Sequence, residues 1–435
     1  MRETRERATQ EGERESPAPG ARGRAAQERG APERGARERA LFGLRRAAAR
    51  IDAATPPGRD RAVDALRALA ILGVVLGHWL VTALVADGGT LRAASPLGPM
   101  PRLAPVSWMF QTLAVFFMVG GHVATRSLAS ARARGGSYRA WLGTRLARLF
   151  VPVAALLAVW TVAAIGLLLG GASFVTVHTV VKLALSPLWF LLVFALLTAA
   201  TPLLVRLNPL WPLAVVLHVD LVRFGPGGPS WLGWVNVLAG WLVPYTVGAA
   251  WTRGELERPR AGRLLLVGGA VATALLVGLG GYPASMVGVP GAAVSNLDPP
   301  TLAAVTFGLA QCGLALLLRD RLRRVMRGPL AWAAVALVNL SAMTVFLWHQ
   351  TAMMATTATA LFAGRLPGLH TVPDGPGWVA ARLLWLPAFA LVLGVCRAAF
   401  HACERGPRRP GGRASRVIRV HHRSGRTEPK EAPDA

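Results

Sequence analysis

The residues with the greatest capacity for chemistry are ionisable groups set in otherwise apolar stretches. The run Asp64-Ala-Leu-Arg67-Ala-Leu-Ala-Ile-Leu-Gly-Val-Val-Leu-Gly-His78-Trp79 carries three of them. At 3.6 residues per helical turn, positions eleven apart differ by three turns and roughly 20°, so Arg67 and His78 share one face about 16 Å apart along the axis. Asp64 lies one turn before Arg67 on nearly the same side and can pair with it. Ionisable groups within a bilayer are expensive, so this polar stripe is predicted to face the bundle interior or a water-filled cavity. Arg145 and Arg148 stand at i and i+3 in Thr144-Arg-Leu-Ala-Arg-Leu-Phe-Val-Pro152, just ahead of an apolar stretch. Two guanidinium groups pointing the same way from a helix end suit bidentate binding of phosphate, although the same pair could serve as ordinary interfacial anchoring. His349 is a further candidate within an apolar segment.

The elements that must position these groups are long apolar segments. The chain has 435 residues, 53% of them hydrophobic and 16% charged, where a soluble protein would carry about a quarter charged. A spanning helix needs about 20 mostly apolar residues. Ten such stretches are predicted, at 64–85, 104–125, 149–170, 185–205, 208–223, 231–251, 264–281, 300–318, 330–352 and 378–400. The fold class is therefore all-α and integral to the membrane, a bundle of about ten transmembrane helices over residues 62–403. Residues 1–61 hold fifteen Arg and ten Asp or Glu and are poor in large apolar side chains. They are predicted to be disordered, with 40–51 able to form a basic amphipathic helix on anionic lipid. The basic tail 404–435 is predicted to be disordered as well.

Charge placement sets the expected topology. With the N-terminus cytoplasmic, the inner loops contain sixteen basic residues and the outer segments six, the latter being Arg92, Arg102, Lys182, Arg223, Arg365 and Arg382. This bias favours both termini inside. The formal net charge of +26 lies in the tails and alternate loops rather than on one folded face, which argues for a lipid bilayer and not nucleic acid as the partner. Cys312, Cys396 and Cys403 show no paired spacing and no metal signature, so no metal site is expected. His122, His178, His218 and His370 fall at span ends or in loops and receive no role. Asp220 and Arg223 read as an interfacial ion pair. Arg-rich, Lys-poor polar tails suit a GC-rich bacterial genome, and the expected location is the bacterial inner membrane.

Four segments taken in order carry a resemblance. Asp64-x-Leu-Arg67-Ala-Leu-Ala-Ile with His78, the Arg145-x-x-Arg148 pair, Leu188-Trp189-Phe190-Leu191 and Val345-Phe-Leu-Trp-His349 together resemble the acyltransferase-3 family of membrane O-acyltransferases. Phe116-Phe-Met-Val-Gly120-Gly121 resembles a further family motif in which Ser usually stands at the place of Gly120. The resemblance covers roughly residues 60–400. It implies acyl-coenzyme A as a cytoplasmic co-substrate, no tightly bound cofactor, and a sugar hydroxyl as acceptor on a cell-envelope glycan or a glycosylated natural product. It implies His78 as the general base, since imidazole titrates near working pH. Arg67 would position the donor or stabilise the oxyanion, and Arg145 and Arg148 would hold coenzyme A phosphates. Substrate-side roles are expected for His349, Trp189 and Asp64. The competing reading is a transporter or glycan-export protein, which predicts carboxylates along a path through the membrane; Asp64 and Asp220, both near span ends, are the main ones.

Overall fold

A computed structural model describes residues 38, 39 and 41–404. Most of the two predicted disordered tails thus lies outside the described residues. The segment predicted as a surface helix is one: α1 spans 41–53, with Leu41, Phe42 and Leu44 exposed beside Arg45 and Arg46.

The chain then continues as α2 (Arg61–Val81), a hairpin of β1 (Ala83–Asp87) and β2 (Thr90–Ala94), α3 (Ala104–Ser107), α4 (Leu113–Ala133), α5 (Tyr138–Leu169), α6 (Phe174–Leu185), α7 (Leu188–Ala199), α8 (Thr201–Leu204), α9 (Leu210–Phe224), α10 (Val235–Thr252), α11 (Pro259–Gly278), α12 (Leu302–Val325), α13 (Pro329–Leu340), α14 (Ala342–Ala360) and α15 (Pro376–Glu404). Helix starts follow the expected chemistry. Asp60 accepts from the amides of Ala62 and Val63, while Ser137 and Ser173 cap α5 and α6, each satisfying an amide the helix leaves unpaired.

Among the described residues, eight helical stretches are long and apolar enough to cross a membrane, and a ninth is the α13–α14 pair, bent by 74°. The span expected at 185–205 begins earlier, because α6 and α7 run on through 174–199 with a break at Ser186–Pro187. The segment expected at 208–223 forms α9, whose 15 residues are fewer than the roughly 20 that span hydrocarbon. α5, in contrast, has 32 residues and at 1.5 Å per residue extends about 48 Å. Its first turns, which carry Arg145 and Arg148, therefore reach past a 30 Å hydrocarbon layer.

The core sits where α2, α4, α7, α10 and α14 meet. Phe117, Tyr245, Leu347 and Met353 are fully buried there, whereas Leu264, Leu384, Leu391 and Val395 on α11 and α15 are exposed, as lipid-facing positions must be. α4 and α10 cross at Gly121 and Gly248: a Cβ on the first would meet the Tyr245 carbonyl, and on the second the Met118 carbonyl. In lipid, where helices gain little from hydrophobic association, such backbone proximity supplies the packing.

Three features differ from the sequence expectation. α2 ends at Val81 rather than near 85, and Asp87-Gly-Gly-Thr90 turns the chain into the β hairpin, a tight-turn signal that the apolar stretch masks. Arg382, counted above with the outer loops, is only 1% exposed. Its guanidinium donates to the carbonyls of Trp79 (2.6 Å), Thr82 (2.6 Å) and Gly368 (2.9 Å), so it serves carbonyls that the end of α2 leaves without intrahelical partners. Asp220 is more than one half of an ion pair: besides Arg223 at 3.9 Å, it is buried and accepts from Asn236 (2.9 Å), Tyr282 (3.0 Å) and the Leu302 amide (2.7 Å). It ties α9, α10, α12 and the loop 279–301 together.

The close crossing gives a stability prediction. Gly121→Ala and Gly248→Ala should each cost at least the roughly 1–3 kcal/mol typical of overpacking, seen as a lowered Tm in detergent. Gly143→Ala, where nothing lies within 4 Å, should leave the Tm unchanged or slightly raised. Equal melting of all three variants would show that α4 and α10 do not cross this closely.

Candidate active site

Two cavities enter the bundle from opposite ends of α2. The one at its N-terminal end has a volume of about 980 Å³ and is lined by five guanidinium groups, Arg59, Arg67, Arg145, Arg148 and Arg397. Asp64, buried beneath them, pairs with Arg59 and, at 2.9 Å, with Arg67. Arg67 is also aimed by Asn339, which accepts its Nε–H at 2.6 Å and donates to the Asp64 carbonyl at 2.8 Å. Arg145 is held by Ser127 and lies 5.1 Å from the Trp141 ring centroid; Arg397 bonds the Ser341 hydroxyl. Arg145, Arg148 and Arg397 have no carboxylate partner among the described residues. The α13–α14 bend places the first turn of α14, uncapped by any side chain, on the same cavity, and a helix N-terminus favours anions. Unpaired positive charge around a recess is a site for a ligand with several negative charges. Planar forked donors suit phosphate in particular.

The second cavity, of about 520 Å³, is lined by His78, Gln111, Gln350, Trp189, Trp234 and Asp298. His78 sits in the last turn of α2. Gln350 Nε2 stands 3.0 Å from His78 Nδ1, and Gln350 Oε1 is buried without a partner. Rotating that amide by 180° brings Oε1 to accept from Nδ1–H and leaves the Nε2 lone pair of His78 available. That is the tautomer a general base requires. Behind His78, the His349 ring lies with its centroid 5.1 Å away. His349 is fully buried, donates from Nδ1 to the Phe346 carbonyl at 2.6 Å, and accepts at its own carbonyl from Trp79 Nε1 at 2.9 Å.

Of the residues singled out from sequence, Arg67, Arg145 and Arg148 share the first cavity, while His78 and Trp189 share the second. Asp64 and His349 line neither; each stands behind a cavity residue, Arg67 and His78 respectively. Arg67 and His78 do lie along one helix, yet they open to opposite sides.

What joins the cavities is how thin the layer between them is. Ile71 and Val74 on α2, Phe116 and Leu113 on α4, and Phe346 and Gln350 on α14 each place one residue in the first cavity and another, within a turn, in the second. On α7 the two are neighbours, Phe190 and Trp189. A turn rises about 5.4 Å, so the partition is one layer of side chains. Its rings are in contact, Phe116 to Phe190 at 5.1 Å and Phe190 to Phe346 at 5.2 Å between centroids.

Sequence reasoning passed over Arg59, Asn339, Gln350 and Arg397. Arg397 carried a usable signal, a charge inside the apolar stretch 378–400, by the same cost that drew attention to Arg67. Arg59 falls in the segment taken as disordered. Neutral amides such as Asn339 and Gln350 carry little signal, because polar groups commonly join membrane helices to one another.

Comparison with known proteins agrees with this arrangement. The family model described as an acyltransferase domain, that of the acyltransferase-3 family, matches residues 60–401. No curated protein matches the chain, and no solved structure matches it. The matched region contains the lining of both cavities apart from Arg59 and every helix from α2 onward apart from the last residues of α15, so the protein belongs to the acyltransferase-3 family and is a multi-pass membrane acyltransferase that transfers groups other than aminoacyl.

Proposed function

We infer that the protein transfers an acyl group, acetyl in the first instance, from acyl-coenzyme A to a hydroxyl of a carbohydrate, with His78 as general base. The observation that carries this reading is the meeting of an Arg-ringed cavity with a His78 cavity across one layer of side chains. Coenzyme A is an elongated donor with phosphates at one end and the thioester at the other. Arg145, Arg148, Arg397 and Arg59 match its phosphates, and Arg67, deeper on α2, is suited to the thioester carbonyl oxygen as charge develops there. The second cavity offers the ring faces of Trp189 and Trp234 with hydrogen-bonding groups on Gln111, Gln350 and Asp298, a combination suited to the apolar faces and hydroxyls of a sugar.

The acceptor oxygen attacks the thioester carbonyl carbon while His78 takes the hydroxyl proton. The tetrahedral intermediate collapses with cleavage of the C–S bond, leaving the ester and a coenzyme A thiolate that is protonated on release. Contact between thioester and imidazole requires Phe190 or Phe346 to swing aside, since their rings fill the layer between. The Arg cavity opens at the same end as Arg132, Arg134 and Arg139 at the turn between α4 and α5, the end that the positive-inside rule assigns to the cytoplasm, where acyl-coenzyme A is made. Arg59 before α2 and Arg397 near the end of α15 line this same cavity, so both termini are then cytoplasmic and the short α9 crosses as a tenth span; the membrane is the bacterial inner membrane, and the acceptor is an envelope glycan or a glycosylated natural product met in the opposite cavity. Membership of an acyltransferase family sets the transporter reading aside.

Purified protein given radiolabelled acetyl-coenzyme A and envelope glycans tests this directly. Label should pass to glycan with the native protein, and His78→Ala should lower turnover by about 10²–10⁴-fold while coenzyme A still binds. Absence of coenzyme A binding by the native protein would sink the donor assignment; full activity of His78→Ala would sink the base.

The phosphate contacts make a separate prediction. Arg145→Ala and Arg397→Ala should each raise the KM for acyl-coenzyme A about tenfold or more, since a hydrogen bond to a charged group contributes roughly 1.5–3 kcal/mol. Dephospho-coenzyme A donors should lose sensitivity to whichever arginine meets the missing phosphate. KM values unmoved in both variants would place the donor elsewhere.

For Gln350, the orienting role predicts that Gln350→Ala lowers kcat by about tenfold, within the range that general-base alignment supplies, with little change in donor KM. Gln350→Glu should restore much of it by accepting from Nδ1–H. An unchanged kcat in the Ala variant would leave His78 oriented by something else.

A further inference from the structure

The Arg cavity is polarised along its length, and its apolar end has a built-in obstruction. From α2 and α14 the lining passes from Arg59, Arg67 and Ser341 to Ile71 and Phe346. A thioester donor held by its phosphates would therefore direct its acyl chain into the apolar end. On α4 that end is walled by Phe116 and, one turn nearer the mouth, by Gly120. Gly120 has no side chain, and a Cβ built there would fall inside contact distance of Phe194 Cε2. The Phe194 ring from α7 thus occupies the volume that a side chain at position 120 would take.

That ring is fixed in place. It meets Phe116 at 5.2 Å edge-on and Phe117 at 6.0 Å, and it stacks parallel to Phe190 at 6.3 Å with planes 15° apart. Phe194 is nevertheless only half-buried and lines the cavity. Unlike Phe116, Phe190 and Phe346, it has no second-cavity residue within a turn of it on its own helix, Trp189 being five positions away. Removing it would lengthen the apolar end sideways without merging the two cavities.

We propose that Phe194, seated on Gly120, is the residue that limits the length of the acyl chain the enzyme accepts, restricting it to short acyl groups. This rests on the inference that the Arg cavity takes the acyl-coenzyme A. In a fitted apolar pocket one methylene changes kcat/KM by about tenfold or more, so a fixed ring flanking the chain, which leaves little width beside Phe116, separates acetyl from its longer homologues.

The experiment compares kcat/KM for acetyl-, propionyl- and butyryl-coenzyme A in the native protein, Phe194→Ala and Gly120→Ala, with coenzyme A affinity measured alongside. The native protein should prefer acetyl, and Phe194→Ala should raise the butyryl-to-acetyl ratio at least tenfold. Gly120→Ala, whose new methyl pushes the ring into the cavity, should lower the propionyl-to-acetyl ratio below the native value. Phe194→Leu serves if the Ala variant does not fold, and should raise the ratio by a smaller factor. A butyryl-to-acetyl ratio unchanged in a folded Phe194 variant overturns the proposal, as does a native enzyme indifferent to chain length. Both outcomes leave acyl transfer intact. Failure of the donor reading is a different result, in which the native protein neither binds coenzyme A nor consumes any of the three thioesters.

Discussion

Guanidinium groups held partly out of water must find negative charge, and this cost organises the half of the bundle where the donor would bind. Asp64 answers for two of the five arginines in the first cavity, Arg59 and Arg67. It does so from a buried position, which fixes them more than an exposed pair would, since exposed ion pairs contribute about 0–1 kcal/mol. The remaining three are held by neutral partners, Ser127 for Arg145 and Ser341 for Arg397, or stand free toward the opening as Arg148 does. A cavity built this way is incomplete without an anion. On the proposed donor reading, unneutralised charge would supply the affinity for phosphate, and the 74° bend at Ser341 adds the open first turn of α14 to the same cavity.

The opposite end depends on a different use of a buried cation. Arg382 donates to the carbonyls of Trp79 and Thr82 and so lets α2 stop at Val81, immediately after His78. Trp79 in turn donates to the His349 carbonyl, locking the last turn of α2 to α14. His78 is therefore held by backbone anchors on both sides, while Gln350, the residue after His349 on α14, hydrogen-bonds its ring. The role proposed for His78 needs this kind of support, because a general base works only within hydrogen-bond reach of its proton. The α4–α10 crossing at Gly121 and Gly248 contributes further away, by bringing Phe116 and Phe117 close enough for the α7 rings to pack on them.

Much of this was legible in the sequence where cost was the signal. The Asp64–Arg67 pair, the Arg145/Arg148 pair and His78 stand out because ionisable groups in apolar runs need a reason, and each lies at a cavity or directly behind one. Span positions were legible for the same reason that hydropathy works, although α9, at 15 residues, is shorter than the length by which such spans are recognised. Connectivity through the third dimension was not legible. Arg67 and His78 share a helix face, and nothing in their spacing says that Ile71 and Val74 divide that face between two cavities. Arg382 looked like a loop anchor because a one-dimensional count cannot tell an interfacial arginine from one folded back onto the end of α2. Gln350 and Asn339 are ordinary amides until their partners are known.

The thin aromatic layer between the cavities resolves a conflict that any enzyme of this kind must face. A thioester at a water-accessible base would be hydrolysed as readily as transferred, whereas a thioester sealed from the base would not react. The rings of Phe116 and Phe346, each packed on Phe190, would exclude water from the reactive end of a donor held in the first cavity, and exclusion of water both protects a reactive group and strengthens the electrostatic help it receives. Because the layer is only one side chain deep, a rotation of a single ring is enough to open it, and side-chain motions of that size are far faster than the turnover of a typical enzyme. An acceptor pressing on Phe190 or Phe346 from the His78 side, in the place where its hydroxyl must be, would itself favour that rotation. Occupancy of the acceptor cavity and exposure of the thioester would then be the same event, so that the bond most at risk of hydrolysis is uncovered only when a sugar hydroxyl already stands where water would otherwise be.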